Sequence, residues 1–120
     1  MIKITPKIKK IIEKNPLTIA TVDRSGKPNV SVVAFVKVVS ENEVLITDNY
    51  MAQTKQNILQ NKNVCLAVWD KKWNGVKIIG KTKYFSSGKW KEYVEKMKEN
   101  KGLSAKGAII VKISKLIDLK

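Results

Sequence analysis

Between Thr47 and Asn57, in the run Thr47-Asp48-Asn49-Tyr50-Met51-Ala52-Gln53-Thr54-Lys55-Gln56-Asn57, polar side chains gather where a β-rich stretch gives way to a helical one. The start of a helix presents unpaired backbone N–H groups and the positive end of its dipole. A Gln53 amide, a Thr54 hydroxyl and a Lys55 ammonium placed there would suit a phosphate. The same residue types also fit a plainer role, with Asp48 or Asn49 capping the helix and Lys55 standing in solvent. Residue types alone favour the cap. Other chemistry is scarce. The chain has no histidine, which removes Ser-His-Asp catalysis and the commonest metal ligand, and its four Asp and six Glu are scattered instead of spaced as a ligand set. Cys65, the only cysteine, lies in the apolar run Val64–Val68, so it has no disulfide partner in the chain and reads as a buried, inert thiol. Any redox or transfer chemistry would have to be borrowed from a cofactor.

The elements that must position these residues alternate along the chain. Thr5-Pro6 is a helix start, and Ile4, Ile8, Ile11 and Ile12 recur at helical spacing until Asn15-Pro16. Leu17 to Val22 and Pro28 to Val39 are β-rich and flank the turn residues Asp23-Arg24-Ser25-Gly26-Lys27, which predicts a hairpin. Val30 to Val39 is apolar on both alternating faces except at Ser31 and Lys37, so something must cover its outer side: a second barrel layer, a flat ligand or a second copy of the chain. For so small a chain, part of that cover is expected to be a partner subunit. Glu43 to Thr47 is a third strand, Ala52 to Gln60 a short helix, Val64 to Trp69 a fourth strand and Val76 to Phe85 a fifth. Gly80 marks a bulge or close backbone approach within the fifth. Trp90, Tyr93, Val94 and Met97 fall on one face of a further helix and read as core packing. Gly107 to Ile113 is the sixth strand, which Ser114 to Lys120 would extend. Six strands, a few short helices and no βαβ unit imply a mostly β, antiparallel six-stranded barrel.

With 120 residues and 43% hydrophobic content, the chain suits one domain spanning 1–120. No stretch nears the roughly 20 apolar residues of a membrane span, and the N-terminus lacks signal-peptide features, so a cytoplasmic location is expected. The net charge of +14 raises the question of nucleic acid, but the basic residues are spread along the chain and Arg24 is the only arginine. A solvated basic surface is the simpler account, and nucleic acid is not the expected partner. The competing function class is a barrel that binds single-stranded nucleic acid in a lysine-lined groove, with Trp69, Trp73, Tyr84 and Phe85 as stacking platforms.

The order of segments adds a resemblance. Ser25-Gly26-Lys27-Pro28, Asn29-Val30-Ser31, Thr54-Lys55-Gln56-Asn57-Ile58 and Asn61-Lys62-Asn63-Val64, followed by Ile79-Gly80-Lys81-Thr82 and Ser87-Gly88, resemble in sequence the pyridoxamine 5'-phosphate oxidase-like FMN-binding family. The resemblance implies a split barrel that forms a homodimer, with FMN in a groove at the subunit interface. It implies that Ser31, Val32 and Val33 line the flavin ring. Ile46, Thr47, Asp48 and Asn49 would border the ring and ribityl chain, and Gln53, Thr54 and Lys55 would hold the phosphate. True oxidases of the family grip their substrate's phosphate with His and Arg, which this chain reduces to Arg24 in a turn. A small FMN-dependent oxidoreductase or electron-transfer protein is therefore the expectation, with a deazaflavin-binding reductase of the same fold as the variant. Trp73 is a candidate to complete the partner's pocket, or a rim residue packed on its own barrel.

Overall fold

The computed structural model describes residues 2–119. Helix α1 (Pro6–Lys14) begins where Thr5 Oγ1 accepts the Ile8 N–H at 3.3 Å and proline fills the first turn, and it buries Ile11 and Ile12. The strands follow as β1 (Leu17–Val22), β2 (Pro28–Val33), β3 (Val36–Ser40) and β4 (Glu43–Asp48), then helix α2 (Gln53–Gln60). After it come β5 (Asn63–Trp69), β6 (Gly75–Phe85), helix α3 (Lys89–Lys96), a 3-10 turn (Lys98–Asn100) and β7 (Gly107–Asp118). The strands form one antiparallel sheet in the order β2-β1-β5-β6-β7-β4-β3.

That order corrects the expected strand count from six to seven. The apolar run from Pro28 to Val39 is two strands, broken at Ala34-Phe35, because its first half pairs with β1 and its second half with β4. Those partners lie toward opposite edges of the sheet. The chain therefore bends and carries one edge across to the other, and the sheet curls until its margins meet through covalent chain instead of a ladder, giving a split barrel. The hairpin of β1 and β2 forms as the sequence indicates, with Leu17 opposite Val33 and Val22 opposite Pro28.

Leu17, Ile19, Ile46, Leu66, Ile78 and Ile109 fill the inside of the curl, and α1 packs over it with Ile11 and Ile12. Each such buried side chain contributes roughly 1.5–3 kcal/mol. A smaller cluster on the outer face joins Leu45, Ala108 and Ile110 to Val94 and Met97, which explains why β4 and β7 are buried on both sides. Of the predicted α3 stripe, Val94 and Met97 are buried, Trp90 is half-buried and Tyr93 is exposed. Gly80 sits at a register shift between β6 and β7, where a Cβ would lie 2.5 Å from the Lys112 carbonyl oxygen. The β3 edge is blunted by Glu13, whose carboxylate accepts the Val38 N–H at 2.8 Å. The β2 edge has no such guard among the described residues, and Val30 and Val32 are 64% and 71% exposed. Cys65, expected buried, is half-buried. No helix among the described residues is long and apolar enough to cross a membrane.

Candidate functional site

The junction between β4 and α2 is pinned by Asp48, which is fully buried. Its carboxylate accepts the Met51 N–H at 2.9 Å and the Tyr84 hydroxyl at 2.5 Å, and its backbone carbonyl accepts the Lys106 N–H at 2.7 Å. Burial, with the bond to Asp48 second, pushes the Tyr84 phenol well above its ordinary range, so it stays a donor. Asp48 therefore braces the turn and does not cap the helix. The residue at the cap position of α2 is Ala52, no side chain caps the helix, and its first turn holds no acidic residue. The amides at this helix start are left facing whatever approaches them.

Beside that helix start stands a hydroxyl pair. Thr54, 1% exposed, places Oγ1 at 2.6 Å from Ser31 Oγ and accepts from Asn29 Nδ2 at 3.2 Å. Whichever hydroxyl donates within the pair, one hydroxyl hydrogen stays available to an incoming acceptor. Gln53 Nε2 donates to Asn57 Oδ1 at 2.8 Å, and Asn57 Nδ2 donates to Thr21 Oγ1 at 3.0 Å, which ties α2 to β1. The Lys55 ammonium lies 4.9 Å from the centre of the Tyr84 ring.

A cavity of about 510 Å³ opens against this corner. Among the residues expected at a site, Ser31, Val32 and Val33 line it from β2, Thr47 and Asn49 from the end of β4, and Gln53 and Thr54 from α2. Ile46 lies in the barrel core, while Asp48 and Lys55 face Tyr84, and none of these three lines the cavity. The far wall comes from a part of the chain where no site was expected: Met97, Glu99, Asn100 and Leu103. Asn100 carries no local signal of such a place, since the segment after Met97 has neither periodicity nor a motif. Asn49 Nδ2 donates to Asn100 Oδ1 at 2.8 Å, while Asn49 Oδ1 and Asn100 Nδ2 are buried without a partner. Glu99 pairs with Lys37 at 2.8 Å. Their hydrogen bond holds the Glu99 carboxyl below, and the Lys37 ammonium above, their ordinary ranges.

The four rings considered for nucleic-acid stacking do not form one platform. Trp69 and Trp73 stack on each other, 6.5 Å between centres, whereas Tyr84 packs on the barrel core and Phe85 on the outer cluster.

Comparison with known proteins bears on this corner. An uncharacterised protein of Methanocaldococcus jannaschii is 32% identical across 100% of the chain and 83% of its own length. The pyridoxine/pyridoxamine 5'-phosphate oxidase of Bdellovibrio bacteriovorus is 34% identical over 71% of the chain, and the match spans 43% of that enzyme. In structure, HupZ of Group A Streptococcus superposes with a TM-score of 0.90 at 23% identity, covering 97% of this chain and 94% of that one. An FMN-binding protein of Syntrophomonas wolfei gives 0.79 at 18%, over 95% and 84% of the two chains. The same fold recurs in an F420 reductase (0.71 at 16%, over 93% and 98%) and in HutZ, a heme storage protein of Vibrio cholerae (0.73 at 20%, over 97% and 95%). The family model described as pyridoxamine 5'-phosphate oxidase matches residues 4–120, all but the first three residues of the chain, and the chain belongs to that family.

Proposed function

We propose that this protein binds FMN in the cavity between β2, α2 and the 97–103 segment, that it does so as a homodimer, and that it acts as an oxidoreductase or electron-transfer protein. The observation that carries the reading is the uncapped start of α2 beside the Ser31–Thr54 hydroxyl pair, at the wall of a cavity of about 510 Å³. Free helix-terminal amides, a spare hydroxyl hydrogen and the absence of a nearby first-turn carboxylate fit a phosphate dianion. The volume falls within the roughly 300–1,000 Å³ usual for small-molecule sites. Val32 and Val33 offer an apolar wall for a flat ring, and Lys55 adds positive charge to the same helix end.

Bound there, the flavin would supply the electron transfer that no side-chain constellation of this chain provides. The chain's own part is to hold the phosphate, orient the ring and exclude water. A partner subunit is supported by the exposed Val30 and Val32 on the unguarded β2 edge, next to the Ser31 that faces the cavity. Likeness of fold to an F420 reductase supports a deazaflavin as the second reading.

The test is a fluorescence titration with FMN and with riboflavin, which lacks the phosphate. Thr54→Ala combined with Lys55→Ala is expected to weaken FMN about tenfold or more and riboflavin far less, as losing charge-assisted bonds predicts. Equal losses for the two ligands would remove the phosphate from the α2 start.

A further inference from the structure

Buried polar atoms in folded chains nearly always have partners, so two that lack them at one cavity call for a reason. Asn100 is 5% exposed, and its amide is joined to that of Asn49 by one hydrogen bond of 2.8 Å. Asn49 Oδ1 and Asn100 Nδ2 are left without partners, and both residues line the cavity. Turning both amides end for end would keep the joining bond and would again leave one oxygen and one nitrogen free. The wall therefore offers one acceptor and one donor however the amides are oriented. A phosphate or carboxylate, which only accepts, would leave the Asn49 oxygen alone. An ammonium, which only donates, would leave the Asn100 nitrogen alone. A ring edge with a carbonyl beside an N–H, as in a lactam or cyclic imide, satisfies both.

We propose that Asn49 and Asn100 form a recognition subsite for such an edge, Asn49 Oδ1 accepting from the ring N–H and Asn100 Nδ2 donating to the ring carbonyl. The identity of the ring rests on the flavin reading above: the pyrimidine end of a flavin, or of a deazaflavin, is a cyclic imide. Phosphate and imide are then read by separate walls, the α2 start and the turn at Lys98–Asn100. Both free atoms are buried, so engagement includes a shift of that turn. The pair is a specificity device kept against stability, since two apolar side chains of similar size would leave nothing unpaired.

The experiment compares FMN with FMN methylated at ring N3, and lumiflavin with its N3-methyl derivative as phosphate-free probes. Each is titrated into the unmodified protein and into Asn49→Leu/Asn100→Leu. Methylation is expected to weaken binding to the unmodified protein at least about tenfold and to the double variant less than about twofold, because a site built to bond a ring N–H rejects the analogue that lacks it. The double variant should melt no lower than the parent, both orphan atoms being gone. Methyl-insensitive binding by the unmodified protein overturns the subsite and leaves the flavin reading standing. Discrimination between the lumiflavins with no preference for FMN over lumiflavin overturns the phosphate assignment and keeps the subsite. Failure of all four rings to bind overturns both. Should the double variant not fold, the methyl comparison on the unmodified protein decides.

Discussion

Asp48 touches no part of the cavity, yet it determines where the residues that do line it stand. By accepting from Tyr84 and Met51 it fixes the turn that delivers Asn49 to one wall and α2 to another. Glu99, on the far wall, is held by Lys37, and that pair has a readable pH dependence. The Lys37 hydrogen bond lowers the Glu99 pKa from its ordinary 4.5. Its stabilisation is thus present in full above pH 4.5 and is lost as pH falls through the lowered folded value. On the basic side, the raised Lys37 keeps the pair intact below its ordinary 10.5, with loss only as pH climbs through the higher folded value. The two side chains are 34% and 33% exposed, so solvent screening keeps the contribution under about 1 kcal/mol. Melting curves of Glu99→Gln against the parent should differ by a small margin at pH 7 that closes as the pH drops below 4.5. A margin unchanged down to pH 3, roughly a unit below the ordinary Glu pKa, would show that the pair contributes nothing through charge.

At the scale of elements, the sheet depends on a few local devices. Gly80 lets β6 bulge against β7, where an added Cβ would press on the Lys112 carbonyl and on Val111 Cγ1 at 2.8 Å. Gly80→Ala should lower stability by about 1–3 kcal/mol through that overpacking, read from denaturant midpoints. An unchanged midpoint would mean that the strands part there at no cost. This bulge was legible in the sequence, as were α1 with its Thr5-Pro6 start and the β1–β2 hairpin, because each is written in neighbouring residues. The break at Ala34-Phe35 was not. No glycine or proline marks it, and the apolar run passes through unbroken, since the bend follows from which partner strands each half finds. The candidate site divides in the same way. Ser31 to Val33 and Gln53 to Thr54 could be named from ordered motifs, whereas Asn100 reaches Asn49 across 51 residues, through a sheet whose curl no local pattern encodes. The preference for Asp48 or Asn49 as a helix cap failed because the buried Tyr84 hydroxyl and the Met51 amide claimed the Asp48 carboxylate.

In the whole molecule, the exposed face of β2 is the apolar surface that most calls for a cover. A split barrel joined by covalent chain leaves β2 as an edge strand, and Val30 and Val32 stand out from it beside the cavity. A second copy of the chain would remove that surface from water and close the cavity's open side. Val30→Lys should therefore keep the fold, since that side chain is exposed and does not line the cavity, while shifting sedimentation from dimer to monomer and weakening FMN by about tenfold or more. A parent protein that sediments as a monomer would count against the interface. The net charge of +14, carried almost wholly by lysines spread along the chain, fits a solvated surface. The cofactor is identified by reconstituting the purified protein with equimolar FMN, deazaflavin and heme in competition, then determining what stays bound by mass and absorption spectrum. FMN retained in a one-to-one ratio with the chain is the expected result, and retention of heme alone, or of nothing, would contradict it.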